Sequence, residues 1–457
     1  MVIVDSTGIH SLPVVFCGCQ NASRWDIQLL DLGLFPGSVR DPQTAFTFQV
    51  LDDFALNNLV CKTAILSFHT KLKRMTNMAF PSEVPDHYLP LLGVTQQWQN
   101  LRYRKWAGVL YGHDQPLCPR ALALFCPACP QPGINIPMNW KEEPREWLYM
   151  RSFVMDGCFR PEHLKMTNPW DDISLEDGSQ YMVALGPHKD HLQIVIDHKP
   201  KSTCHNHKAV SQANADRHDL DATGIGATVC ARDGCFAPHS AVNFQKGERY
   251  DPLHAFDCSW LMSAILMTLG MLCLIMVLYD VMCQYHVNLK KRISESHHLA
   301  SAWPSGITMQ KGTGLFHVHG HQNSCTPRFS LDYIVGASMI DGEIVETTWR
   351  PLDKIAGCTR TMTTSHREET LNDHMGYWNF MKCVNMTSSI CRKLKAACLG
   401  VESSHEAFEE LDGRIDDELR KVWIEQEQEV YARRLEDPSA MDIFNVSSPK
   451  GTLFSMA

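Results

Sequence analysis

The stretch CLIMVLYDVMCQYHVNLKKR, residues 273–292, runs from an apolar segment directly into an aspartate, Asp280. Two structures are consistent with it. The uncharged run from Cys258 to Tyr279 is long enough to cross a bilayer, and the Lys290–Arg292 cluster beyond it has the character of a cytoplasmic anchor. Alternatively, a buried helix leads into a buried strand, CLIMVLY, that presents Asp280 at its end. Periodicity does not separate the two. Ser259, Ser263, Thr268 and Gly270 interrupt the run, and nothing else in the chain looks like a span, which weighs toward the strand.

The rest of the chain is that of an ordinary globular protein. Its 457 residues suffice for two or three domains, with 44% hydrophobic and 20% charged residues. A net charge of −9 argues against a generic nucleic-acid binder, so any hold on DNA must come from local basic patches and bound cations. Candidate phosphate contacts are KLKR (71–74), RYRKW (102–106) and KKR (290–292), each of which also reads as a solvated face. The opening MVIVDSTGIHSLPVVF lacks the charged start and continuous apolar core of a secretory signal. With 18 cysteines and 22 histidines, metal binding is then expected over disulfides.

Along the chain, residues 61–110 read as mostly helical, and CPRALALFCPACPQPGINIPMNW (118–140) reads as a Pro- and Cys-rich loop or knuckle. EWLYMRSFVMDGCF (146–159) predicts a strand ending at Asp156, followed by a turn at Gly157. Residues 168–250 are polar and rich in His, Asp, Gly and Cys, and from about 361 the pattern is helical and strongly charged.

Three acidic positions stand out. Asp156 and Asp280 each end an apolar run, while Glu343 and Glu346 in DGEIVETTW are three residues apart and share a helix face. Carboxylates at strand ends and a helix start can converge on Mg²⁺ or Mn²⁺, which prefer hard oxygen ligands and support phosphodiester cleavage. From spacing alone, each acid also reads as a turn or helix-start residue. The Cys/His pairs form a second constellation. Cys17 with Cys19, Cys126 with Cys129, Cys204 with His207, Cys230 with Asp233, Cys235 or His239, and His317 with His321 and Cys325 all have zinc-ligand chemistry. Any single pair also reads as ordinary buried cysteine.

LYDVMCQYHVN, LFHVHGHQNSC, DGEIVETTW, SHREETLNDHM, FVMDGCFRPEHLKM and ATGIGATVCARDGCFAPHSAVNFQKGERY together resemble the KDZ (Kyakuja–Dileera–Zisupton) transposases. VVFCGC and the QLLDLGLFPGSVRDPQTAFTFQVLDDF segment resemble the CxC2-like cysteine cluster domain that accompanies them. The resemblance runs from about residue 10 to about 385. It implies an α/β protein with an RNase H-like core, a mixed five-stranded sheet with flanking helices, and a DDE-type active site. Asp156 and Asp280 match the first two acids; Glu346 is favoured as the third, with Glu343 the alternative. The implied division is a cysteine-cluster domain at 1–140, a core at 141–360 carrying a Cys/His-rich insertion at about 168–250, and a C-terminal helical region at 361–457. Cys204, His207 and Cys230 match zinc ligands of that insertion. Catalytic Mg²⁺ or Mn²⁺, structural Zn²⁺, DNA partners (transposon ends and target), a possible homo-oligomer and a nuclear location follow from the same resemblance.

The sequence departs from the family at Cys158, where Asn is usual, and at Asp233, where His is usual. The segment 251–278 is unusually apolar, residues upstream of Cys17 that would complete the cysteine cluster are absent, and the C-terminal region is short. Three functions are therefore carried forward: a DDE transposase, a catalytically inactive, zinc-stabilised DNA- or protein-binding remnant, and a single-pass membrane protein.

Overall fold

A computed structural model describes residues 1–109, 117–194, 219–244, 274–287, 289–295, 300 and 306–445. These form two compact units, each built from non-contiguous segments.

The first unit comprises residues 1–123, 161–182 and 351–377. Four short strands, β1 (Val2–Asp5), β2 (Gly8–Ser11), β3 (Leu34–Pro36) and β4 (Thr44–Thr47), pair in the order β2-β1-β4-β3. Helices Phe48–Cys61, Ile65–Thr76 and Tyr88–Trp106 pack on one another beside this sheet. Thr47 ends β4 and caps the first of these helices, its hydroxyl accepting from Val50 N. Phe46, Val50, Leu51, Phe54, Phe68, Leu72 and Leu91 make the apolar core. The helical expectation for 61–110 is met by two helices.

Within the same unit, the start of helix Thr364–Val384 is unusually polar inside. Arg367 is fully buried and donates to the Pro161 and Glu162 carbonyls and to Thr359 Oγ1. Asn372 Oδ1 accepts from the backbone N–H groups of Tyr181 and Met182. A buried guanidinium is tolerable only when its donors are used in this way.

The second unit comprises residues 124–160, 183–350 and 378–457. Its centre is a five-stranded mixed sheet of β5 (Arg151–Cys158), β6 (Gly224–Cys230), β7 (Val242–Phe244), β8 (Leu274–Leu278) and β9 (Thr308–Gly312), in the order β9-β8-β5-β6-β7. β8 runs parallel to both β5 and β9, whereas β6 is antiparallel to β5 and to β7. Strands buried on both faces need continuous apolar sequence, and β8 (LIMVL) supplies it. Ile275, Val277 and Phe153 join Phe244, Tyr279 and Tyr285 in the core cluster.

The buried-strand reading of the opening stretch therefore holds for Leu274–Leu278, while 258–273 lies outside the described residues. No helix among the described residues is long and apolar enough to cross a membrane.

Two expectations change. β5 does not stop at Asp156 but continues to Cys158, because β6 pairs with it there: Asp156 opposite Ala227, Gly157 opposite Gly226 and Cys158 opposite Ile225. A side chain on Gly226 would run into the Phe244 ring, so the glycine permits this pairing. Second, residues 168–250 are not wholly an insertion, since β6 and β7 fall inside them and belong to the central sheet. The C-terminal region is helical as expected, with Met386–Asp412 and Asp417–Arg433 following the end of the Thr364–Val384 helix.

Candidate active site and metal centres

Strand register brings the first two acids together. On the parallel pair β5/β8, Val154 lies opposite Leu278. Two residues further along both chains are Asp156 and Asp280, on the same side as that pair because side chains alternate with period two. Past the end of β8, the pairing with β9 continues for one more hydrogen bond, Tyr279 N donating to Gly312 O at 3.1 Å. The chain then turns into the short helix Met282–Tyr285.

Glu346 sits in the first turn of helix Ile344–Asp353, and Glu343 immediately precedes it. Two close-packed glycines set this approach. Gly342 has φ +83, and a Cβ there would stand 2.7 Å from Gly314 Cα. A Cβ on Gly314 would collide with Glu343 Oε1.

The electrostatics report a crowded acid cluster. Burial, assisted by Glu346, pushes the Asp156 carboxyl up to about 6, against the opposing hydrogen bond from Trp349. Asp280 is pushed up to about 7 by burial and by Asp156, Glu343 and Glu346, with His317 opposing. Trp349 Nε1 donates to Asp156 Oδ2 at 2.7 Å. His317 bridges the acids, with Nδ1 3.3 Å from Asp280 Oδ2 and Nε2 3.3 Å from Glu343 Oε2. Its pKa rises to about 9, chiefly through the Glu343 contact and then the Asp280 charge. The side chains of Asp280, His317 and Glu343 remain about a quarter exposed, at 28%, 24% and 24%, so the cluster is recessed but open. Acids that resist ionising alone and face one another fit a divalent cation.

A second cluster is made of thiols. Cys126, Cys129 and Cys230 offer ligand atoms within 4.8 Å of one another, and Cys235 packs into the same buried group. Cys129 Sγ lies 3.5 Å from Cys230 Sγ. The turn after β6 supplies the second pair: Gly234 N donates to Cys230 O, and Cys230 N to Cys235 O, both at 2.8 Å. Hydrogen bonds from its neighbours pull the Cys126 thiol down, while those with Cys126 and burial push Cys235 up. Cys230 is pushed up to about 12, first by Cys126. One thiolate thus suppresses the ionisation of the rest, the behaviour of a thiol set that a bound cation would relieve. Cys235, not His239, completes this group; His239 Nε2 instead accepts from Ala184 N at 3.4 Å. Asp233 pairs with Lys393 at 2.9 Å and stands beside the cluster, its Oδ2 4.0 Å from Cys126 Sγ.

The third group is Cys283, His321 and Cys325. Cys283 Sγ lies 3.3 Å from His321 Nδ1. The expected partner His317 is not in this group: the short helix Leu315–Val318 turns it toward Asp280 and Glu343. Cys283 was missed, although its place three residues after Asp280 in YDVMCQYH was the available signal. Cys17 and Cys19 are exposed, and among the described residues no third ligand gathers at them. Cys204 and His207 lie outside the described residues. The Cys and His groups have the donor chemistry of zinc sites.

A mixed α/β sheet with clustered acids at its centre and Cys/His groups beside it is the class of protein that fold and site define. A family model described as Kyakuja-Dileera-Zisupton transposase matches residues 149–379, half of the chain. A second, described as a CxC2 like cysteine cluster associated with KDZ transposases, matches residues 1–79. The chain belongs to the KDZ transposase family and carries the associated cysteine-cluster segment at its start. No curated protein and no solved structure matches it.

Proposed function

We propose that this protein is a DDE-type transposase that cleaves DNA phosphodiester bonds and transfers the strands with Mg²⁺ or Mn²⁺. The observation that carries the reading is the register of β5 and β8, which sets Asp156 and Asp280 side by side with Glu346 close enough to raise the pKa of both. The sheet supports an RNase H-like core: three antiparallel strands, β5 to β7, then two strands parallel to β5 on its other side, with acids near the strand ends.

In this reading Asp156, Asp280 and Glu346 hold the cations, and Glu343 positions His317. Bound Mg²⁺ or Mn²⁺ would activate a water or 3′-hydroxyl and stabilise the leaving oxygen. Trp349 fixes one oxygen of Asp156, leaving the other for the cation. His317 does the same for Asp280. Cys126, Cys129, Cys230 and Cys235 form one structural zinc site, and Cys283, His321 and Cys325 a second. The partners are transposon ends and target DNA, and the protein works in the nucleus.

The test is a plasmid-nicking and strand-transfer assay with Mn²⁺, comparing wild type with Asp280→Asn. Activity that falls to background in the variant supports the reading. Equal activity in the two overturns it. A wild type that binds zinc and DNA yet never cleaves would instead be the inactive remnant.

A further inference from the structure

Beside the helix that carries Glu346 lies an open recess of about 620 Å³, the size of a ligand cleft. Ile344, the first residue of that helix, forms one wall. The stretch 378–393, where helix Thr364–Val384 passes into helix Met386–Asp412, forms the other. Gly234, at φ +68, sits where the two walls meet: a side chain there would stand 3.1 Å from Ile344 Cδ1 and 3.3 Å from Lys382 Nζ.

The charge of the recess is one-sided. Arg232, Lys382, Arg392 and Lys393 line it against a single carboxylate, Asp233. That carboxylate is taken, its Oδ1 lying 2.9 Å from Lys393 Nζ. Among the described residues, no carboxylate pairs with the other three cations. Lys382 Nζ lies 4.8 Å from the centre of the Trp378 ring, and burial lowers its pKa. Arg232 donates one guanidinium nitrogen to Gly336 O at 3.2 Å and keeps a buried Nε with no hydrogen-bond partner. Arg392 is exposed. The chain as a whole is acidic, at −9. Three cations gathered at one concavity without a counter-charge therefore fit an anion from outside. The recess has room for successive phosphate groups, and its place beside the acid cluster suits the strand on which that cluster acts.

We propose that this recess binds the phosphate backbone of DNA on one side of the bond cut at the acid cluster, with Arg232, Lys382 and Arg392 as the phosphate contacts. The inference rests on the transposase reading for its choice of DNA, though not on the chemistry of the cut.

The test is the affinity of the zinc-loaded full chain for labelled duplex DNA across a salt series, without Mg²⁺ or Mn²⁺, by fluorescence anisotropy. Each phosphate contact contributes a slope of about 0.9 in log K against log salt, and so roughly eightfold in affinity at 0.1 M salt. Arg392→Gln should lower the slope by about one, and Lys382→Gln/Arg392→Gln by about two. Arg392 is exposed, so its variant keeps the fold, which circular dichroism checks. Lys421→Gln/Arg433→Gln removes the same charge from the exposed faces of helix Asp417–Arg433 and should leave the slope unchanged. Unchanged slopes in the recess variants, or an equal fall in the Lys421/Arg433 control, overturn the proposal. Zinc loss at unchanged DNA affinity would make these cations counter-charges of the thiol group and also overturn it. So would binding of inorganic phosphate that the variants lose while DNA affinity holds, the mark of a free-phosphate site. A wild type that binds no DNA overturns the transposase reading as well, whereas DNA cleaved normally with the slopes unchanged overturns this proposal alone.

Discussion

At the scale of single residues, the acid cluster is governed by who neutralises whom. Asp156 and Asp280 hold protons more tightly than a free aspartate, at about 6 and about 7 against 3.8. A raised folded-state pKa stabilises fully below the unfolded value, and that contribution is lost as pH rises through the folded one. Without metal, these two groups therefore cost stability progressively from about pH 4 to pH 7. A cation bound there, as proposed above, would remove that cost by taking the protons' place. The thermal upshift from added Mn²⁺ should be small at pH 5 and grow through pH 7.5, measured by scanning fluorimetry; a pH-independent upshift would contradict the site. Trp349 holds Asp156 in place by donating from Nε1 to its Oδ2. Trp349→Phe should lower Mn²⁺ affinity or cleavage by roughly 10–100-fold with little loss of fold, as outer ligand-holding residues commonly do.

At the scale of elements, the two Cys/His groups bring together segments far apart in sequence, and as proposed zinc sites they would clip them. One joins the 126–129 turn to the end of β6; the other joins the short helix after Asp280 to the 321–325 segment. Their composition separates the sequence expectation from the structure. Cys126→Ser and Cys283→Ser should each lower the zinc content by about one ion per chain, read by elemental analysis. His317→Gln should leave zinc unchanged and instead impair cleavage, because His317 stands between Asp280 and Glu343. Zinc loss in His317→Gln would return that residue to the thiol group. Element types were largely legible: continuous apolar sequence marked β8, and charged periodic sequence marked the C-terminal helices. The end of β5 was not, since its last two residues are strand only through pairing with β6.

At the scale of the whole molecule, the first unit holds acids in unfavourable surroundings. Burial pushes Glu369 up to about 7 and Asp373 up to about 8. By the same sign, their contribution is fully present below about pH 4 and is lost as pH rises toward 8. Lys62, lowered to about 8 by burial, acts above that range, where stability returns as pH rises toward its ordinary 10.5. Unfolding by urea should thus show Asp373→Asn more stable than wild type at pH 8, with the difference vanishing at pH 4. An advantage at pH 4 equal to that at pH 8 would rule out ionisation as the cause.

What the sequence by itself determined is local and ordered. The acids, their order, the Cys pairs, the strand before Asp280 and the family all follow from residues close in the chain, because period and motif spacing are properties of short segments. What only the tertiary structure decided is convergence. It placed Asp156 beside Asp280 through one strand register, completed the first thiol group with Cys235, and exchanged His317 for Cys283 in the third group. Each of those outcomes depends on packing between segments separated by tens to hundreds of residues, and a one-residue slip in register would have reversed which side chains meet.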